Sequence, residues 1–474
     1  MDIVLLVVIL LTGFYMAWNI GANDVANAMG TSVGSGALTL RKAVILAAFL
    51  EFFGAFFFGS HVSKTVQSGI VNADIFVSDP RILVYGMLAA LASAGLWLQI
   101  ASYFGWPVST THSIVGAIVG FGAVVGGIEA IYWDHVGYIL SSWILSPILG
   151  GVLGYYIFML IRKKIFYALN PVAAAKRLTP LLVFIVLIVL GLVLVFEGFR
   201  NLQLDLNVFQ KGILVFGIAC IGLIISYFLV QRVKSALPEI IISAPVYGPE
   251  VTCSLEKARK HLQRVSGAAS GELRYHVNLL EGEVRELERS VQQKQMVGES
   301  HSEYLKVEKI FGFLQIMSAC MMAFAHGAND VANAIGPLSA AVAVLTTGIF
   351  AVEAPIPLWA LGLGGVGIVV GLATWGWRVM ETIGKKITEL TPSRGFAAEF
   401  GAATTIVLAS RLGMPVSTTH TLVGAVLGVG FARGLEAVNL NTTRDIFISW
   451  IVTVPIGACL TIIIFYPIRA IFGS

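Results

Sequence analysis

The sequence predicts an all-α polytopic membrane protein, with about twelve transmembrane helices arranged in two inverted repeats. Three observations carry this. The 474 residues are 57% hydrophobic and 12% charged, with a mean hydropathy of +0.84, whereas a soluble domain carries roughly 25% charged residues. Apolar runs near bilayer-spanning length recur along the chain. Two polar peptides each occur twice: Gly-Ala-Asn-Asp-Val-Ala-Asn-Ala at 21–28 and 327–334, and Pro-Val-Ser-Thr-Thr-His at 107–112 and 415–420. The copies lie 306 and 308 residues apart, so the chain is two related halves.

The spans fall at about 3–20, 43–60, 82–104, 112–131, 137–160, 180–198 and 211–230, and then at about 310–326, 358–378, 396–412, 416–432 and 446–468. A shorter apolar stretch, 338–352, reads as a re-entrant or interfacial piece. Residues 1–230 form an N-terminal membrane repeat with linking helices, 231–309 a polar cytoplasmic loop, and 310–474 the C-terminal repeat. Within the loop, apolar residues at helical spacing across 254–295 predict one or two amphipathic helices, in the manner of a helical hairpin.

Basic residues set the orientation. Arg162, Lys163, Lys164, Lys176 and Arg177 share one connection, and Arg232 and Lys234 lie two spans later. Arg378, Lys385, Lys386 and Arg394 share another connection, and Arg433 and Arg444 a third. With twelve spans all of these are cytoplasmic and both termini lie outside an inner or plasma membrane. The first span then runs opposite to its counterpart, which makes the repeats inverted. The net charge of +4 comes without a basic stripe interleaved with aromatics, so nucleic acid is not a partner; the lipid bilayer is. Cys220, Cys253, Cys320 and Cys459 have neither metal-ligand nor redox spacing.

The repeated peptides carry the chemistry. Asn23, Asp24 and Asn27, with Asn329, Asp330 and Asn333, offer carboxylate and amide oxygens at helical spacing. Hard cations such as Na⁺ prefer such ligands. Gly21 and Gly327 loosen the helix, so a break is expected here. Ser109, Thr110 and Thr111, with Ser417, Thr418 and Thr419, each follow a proline and open a new helix. Free backbone N–H groups beside three hydroxyls make an anion cradle, suited to a tetrahedral oxyanion.

Neither peptide contains Lys or Arg. An anion held there would face two aspartates, and a bound cation resolves the repulsion by bridging them. This favours cation-coupled anion binding at a site shared by the halves, the pattern of a secondary transporter. His112 and His420 close the hydroxyl motifs and could move protons. Glu51 sits mid-span, where a carboxylate is read as functional, and Glu399 opens another span. His326 precedes the second Asn-Asp motif alone, which argues against a symmetric role. Matched pairs of residues also argue against a hydrolase triad, which is asymmetric.

At these motifs the chain resembles the inorganic phosphate transporter (PiT) family, solute carrier family 20. The similarity covers roughly 1–230 and 310–470. Gly-Thr-Ser-Val-Gly-Ser-Gly at 30–36 and Leu-Thr-Pro-Ser-Arg-Gly-Phe at 390–396 look closer to its sodium-coupled branch. The resemblance implies symport of inorganic phosphate with Na⁺, no organic cofactor, no enzymatic activity, and re-entrant hairpins carrying the Ser-Thr-Thr motifs. It matches Asp24 and Asp330 to the family's essential aspartates, Glu51 and Glu399 to its glutamates, and Ser113 to its functional serine. Thr421 stands where the first half has Ser113. A proton-coupled symporter of phosphate or of a metal–phosphate complex, and a sulfate permease, are the alternatives. A homo-oligomer is left open.

Overall fold

The computed structural model describes residues 2–76, 79–193, 207–232, 249–296, 299–348, 356–377, 379–380, 390–434 and 439–473. Among them the chain is helical, apart from one antiparallel bridge between Val71 and Ile131. Lys234, Arg378, Lys385 and Lys386, used above for orientation, lie outside the described residues.

The first half contains α1 (Asp2–Gly34), α2 (Leu40–Phe58), α3 (Ser60–Ser68), α4 (Pro80–Tyr103), α5 (Thr110–Gly126) and α6 (Trp133–Ile161). The apolar pair α7 (Pro171–Val193) and α8 (Val208–Gln231) follows. The second half contains α11 (Glu299–Asp330), α12 (Ala332–Thr347), α13 (Leu358–Thr374), α14 (Pro392–Arg411), α15 (Thr418–Arg433) and α16 (Leu440–Phe472). Between the halves stand α9 (Pro249–Ala268) and α10 (Gly271–Met296). They form the expected hairpin, turned at Gly271 (φ 62°) and joined by Arg259–Glu288 at 3.1 Å and Gln263–Glu281 at 2.9 Å.

Seven helices among the described residues are long and apolar enough to cross a membrane, or eight if the pair α2–α3, bent by 64°, is one span. These seven coincide with seven of the twelve expected spans. The others are short or polar. α5, α13 and α15 have 17, 17 and 16 residues, and α14 carries buried Arg394 and Glu399. Arg394, read above as a loop cation, thus lies in the first turn of a helix.

The breaks fall at the hydroxyl motifs and not at the Asn-Asp motifs. α1 runs unbroken through 21–28, and at the second copy the lone intervening residue, Val331, keeps helical dihedrals (φ −56°, ψ −28°). Residues 338–347 of the stretch read as re-entrant lie in α12, which extends α11 as a buried helix, and 349–352 lie outside the described residues. The reason is that Gly21 serves packing and not bending: a Cβ there would lie 1.9 Å from Ile368 O on α13. Gly371, on the same crossing, would place a Cβ 1.8 Å from Trp18 O. Small residues let helices approach where lipid supplies no hydrophobic drive.

Helices exchange partners between the halves. α1 packs on α13, α2 on α11, α6 on α15, and α16 on α5. Each hydroxyl-bearing helix, α5 or α15, is therefore supported by a helix from the opposite half.

Candidate functional site

Both hydroxyl motifs are built alike. α4 and α14 end in left-handed glycines, Gly105 (φ 69°) and Gly413 (φ 68°). There Trp106 N–H returns to Ala101 O at 2.9 Å and Met414 N–H to Ala409 O at 3.0 Å. The chain then runs extended through each Pro-Val. Ser109 Oγ accepts from His112 N–H and Ser417 Oγ from His420 N–H, both at 3.2 Å, so each serine caps the helix that follows. Ser113 Oγ donates to Ser109 O at 2.9 Å and Thr421 Oγ1 to Ser417 O at 2.7 Å. These four hydroxyls serve their own helix ends.

Thr110, Thr111, Thr418 and Thr419 instead meet the Asn-Asp motifs. Asn27 Nδ2 donates to Asp24 Oδ1 and to Thr419 Oγ1, both at 2.8 Å. Thr419 Oγ1 also lies 3.0 Å from Asp24 Oδ1. Asn333 Nδ2 reaches Thr111 Oγ1 at 3.1 Å and Thr110 Oγ1 at 3.2 Å. Thr418 Oγ1 donates to Asp330 Oδ2 at 2.7 Å. Each half's amide thus grips the other half's hydroxyls, and all eight side chains are buried. The aspartates, Asn27, Asn333 and the four threonines form one cluster, as the repeats suggested.

Asn23 and Asn329 bond chiefly to the turns that precede the hydroxyl motifs. Asn23 Nδ2 donates to Ser102 Oγ at 2.9 Å and Trp106 O at 3.1 Å, and its Oδ1 accepts from Val108 N–H at 3.3 Å. The Asn329 amide lies 2.8 Å from Ser410 Oγ. Turned so that both its polar atoms are satisfied, it accepts from Ser410 and donates to Val416 O at 3.2 Å and Asp330 Oδ1 at 3.1 Å. Both amides help fasten the turns before the hydroxyl motifs.

His326 lies at the centre of the acidic groups. Its Nε2 is 3.1 Å from Asp330 Oδ2 and 3.9 Å from Asp24 Oδ2, and its Nδ1 is 3.2 Å from Glu51 Oε1. Glu51 comes close because Gly327 has no side chain: a Cβ there would lie 2.2 Å from Glu51 O. The repeats do not reveal this pairing, because Ile20 occupies the matching place in the first repeat. The available signal was the four-residue spacing from His326 to Asp330 on one helix.

Glu399 occupies a second pocket. It accepts from Thr31 Oγ1, from Ser32 Oγ and Ser318 Oγ at 2.6 Å, and from Gln315 Nε2 at 3.4 Å. Ser35 Oγ braces Gln315 Oε1 at 2.6 Å. His112 and His420 meet edge to face with ring centroids 4.1 Å apart; Trp143 flanks His112 at 3.7 Å and Trp450 flanks His420 at 3.6 Å.

The set of unspent atoms is informative. Asp24 Oδ2, Asn27 Oδ1 and Asn333 Oδ1 are buried without a hydrogen-bond partner. Asp24, His326 and Asp330 can each bring one ligand atom within 4.8 Å of the others. Three carboxylates surround one imidazole with no lysine or arginine among them, an environment that attracts a cation.

Compared with known proteins, residues 20–461 match the model of the phosphate transporter family. The chain belongs to that family. A Chlamydia pneumoniae protein described as a phosphate permease is 47% identical over 473 residues, 99% of each chain. Inorganic phosphate transporter 2-1 of Arabidopsis thaliana, chloroplastic, is 46% identical over 456 residues, 96% of this chain and 70% of its own. A solved structure described as the sodium-dependent phosphate transporter is 37% identical, with a TM-score of 0.79 over 99% of this chain and 100% of that one. As a phosphate transporter family member this is an integral membrane transporter in family and fold.

Proposed function

We propose that this chain is a secondary active symporter that imports inorganic phosphate with Na⁺ by alternating access. The observation that carries this reading is the hydrogen-bonded joining of Asp24 and Asp330 to Thr419 and Thr418, with no lysine or arginine among the clustered side chains. Thr110, Thr111, Thr418, Thr419 and the N-termini of α5 and α15 cradle the phosphate. Ser109, Ser417 and Ser113 hold those termini in shape. Asp24, Asn27, Asp330 and Asn333 supply hard oxygens to the cation, whose charge offsets the repulsion between carboxylates and phosphate. Ring nitrogen is a poor Na⁺ ligand, so His326 orients the carboxylates. Glu51 and Glu399 set coupling and gating, and His112 and His420 line the floor of the cradle.

α5 and α15 are each packed by a helix of the opposite half, which argues against the sequence halves 1–230 and 310–474 as the moving bodies. Alternating access instead separates groups of helices drawn from both. The central loop is cytoplasmic and both termini lie outside the cell membrane, following the basic residues.

A second reading, proton coupling, is favoured by His326 lying between Glu51 and Asp330. Labelled phosphate uptake into proteoliposomes separates the two. Uptake driven by an inward Na⁺ gradient at equal pH supports sodium symport. Uptake driven by a pH gradient alone, indifferent to Na⁺, moves the coupling to the histidine cluster. Competition by sulfate tests the anion.

A further inference from the structure

We infer that Trp143 is a positioning residue for phosphate, fixing the two hydroxyl motifs against each other; this rests on the cradle reading above. Trp143 lies on α6 and is buried. Its Nε1–H donates to Pro415 O at 3.2 Å, which fastens the extended segment leading into Ser417, Thr418 and Thr419. Its ring face packs on His112, which closes the first hydroxyl motif. One side chain therefore touches the start of the second motif and the end of the first. The neighbouring residue on the fastened segment is gripped as well, since Thr111 Oγ1 donates to Val416 O at 3.1 Å. Trp143 and Thr111 together set the spacing between the threonine pairs of the two halves.

The second half provides a built-in comparison. Trp450 on α16 stacks on His420 with the ring centroids 3.6 Å apart, much as Trp143 stacks on His112. Its Nε1, however, is buried with no hydrogen-bond partner. The two tryptophans share ring packing and differ in the N–H bond. Removing the N–H from each while keeping an aromatic ring isolates what that bond does.

The test is phosphate uptake by the full-length protein in proteoliposomes, with Trp143→Phe, Trp450→Phe, and β-(3-benzothienyl)alanine placed at 143. The last keeps the bicyclic ring and lacks the N–H, so it covers failure of Trp143→Phe to fold. The expected result is a phosphate KM raised about three- to tenfold by both changes at 143, the loss of one hydrogen bond. The maximal rate per folded transporter and the half-saturating Na⁺ concentration stay within about twofold, because Asp24 and Asp330 keep their partners. Trp450→Phe leaves KM unchanged. Equal KM for both positions, or a lower rate and melting temperature at 143 with KM unchanged, would overturn the inference and leave Trp143 a packing residue. Wild-type protein without saturable phosphate uptake would instead remove the transport reading itself.

Discussion

His326 Nδ1 lies 3.2 Å from Glu51 Oε1 where α11 crosses α2, with both side chains fully buried. The corresponding crossing of α1 and α13 places Gly21 against Ile368, and Ile20 takes the position of His326. The acid–base pair therefore exists on one side of a duplicated structure. Breaking a buried pair by removing one partner costs about 3–5 kcal/mol, whereas replacing both by apolar residues is often neutral. His326→Ala should lower both the melting temperature and the uptake. The double change His326→Ile with Glu51→Ile, which copies the other crossing, should restore the melting temperature and leave uptake at least tenfold down. Recovery of uptake by the double variant would assign the pair a structural role.

Asp24→Asn and Asp330→Asn keep the shape of each side chain and one of its acceptor oxygens. Their hydroxyl partners, Thr419 and Thr418, stay in reach. The protein should fold, and Na⁺ stimulation of phosphate uptake should fall more than tenfold in each. Measured full coupling in both variants would rule out these carboxylates as the cation site.

Gly371 and Gly395 offer a contrast in packing. A Cβ at 371 meets the Trp18 carbonyl oxygen at 1.8 Å, a backbone atom of α1. At 395 the obstruction is Gln315 Nε2 at 1.9 Å, the end of a side chain. Gly371→Ala should cost about 1–3 kcal/mol or more, since overpacking forces the backbone to shift. Gly395→Ala should cost less stability but pull Gln315 from Glu399, which raises the Na⁺ concentration needed for half-maximal uptake. Thermal melting beside a Na⁺ titration distinguishes the two effects.

Arg162 ties the α9–α10 hairpin to the bundle. Its guanidinium donates to Ala432 O near the end of α15, pairs with Glu250 on α9 at 3.0 Å, and donates to Tyr167 Oη at 2.6 Å. The Glu250 pair is partly exposed, and such pairs are worth about 0–1 kcal/mol. Glu250→Ala should therefore leave uptake unchanged, as should deletion of residues 252–295. Arg162→Ala should destabilise the protein more than either, because it also leaves the α15 carbonyl without its donor. Uptake and melting temperature of the three variants check this order.

The central hairpin was legible because its apolar residues recur at helical spacing beside compensating charges such as Arg259 and Glu288. The seven long spans were legible from hydropathy alone. The helix break at each hydroxyl motif followed from proline after a turn, and Gly105 and Gly413 bear it out. The break expected at Asn-Asp was not there, since Gly21 and Gly327 admit a neighbouring backbone and do not loosen their own helix. Duplication does not point to His326, whose partner Glu51 is itself unduplicated.

The sequence by itself determined that polar groups recur in matched pairs among apolar segments, and that these pairs are carboxylates, amides and hydroxyls. That information is local: a motif, a hydropathy run, a proline. Tertiary structure decided which of those groups meet. Asn27 and Thr419 are 392 residues apart, and Trp143 and Pro415 are 272. No helical periodicity encodes such contacts. They exist because small residues let α1, α6 and α11 close on helices from the opposite half, and a buried polar side chain must then take whichever partner that approach delivers.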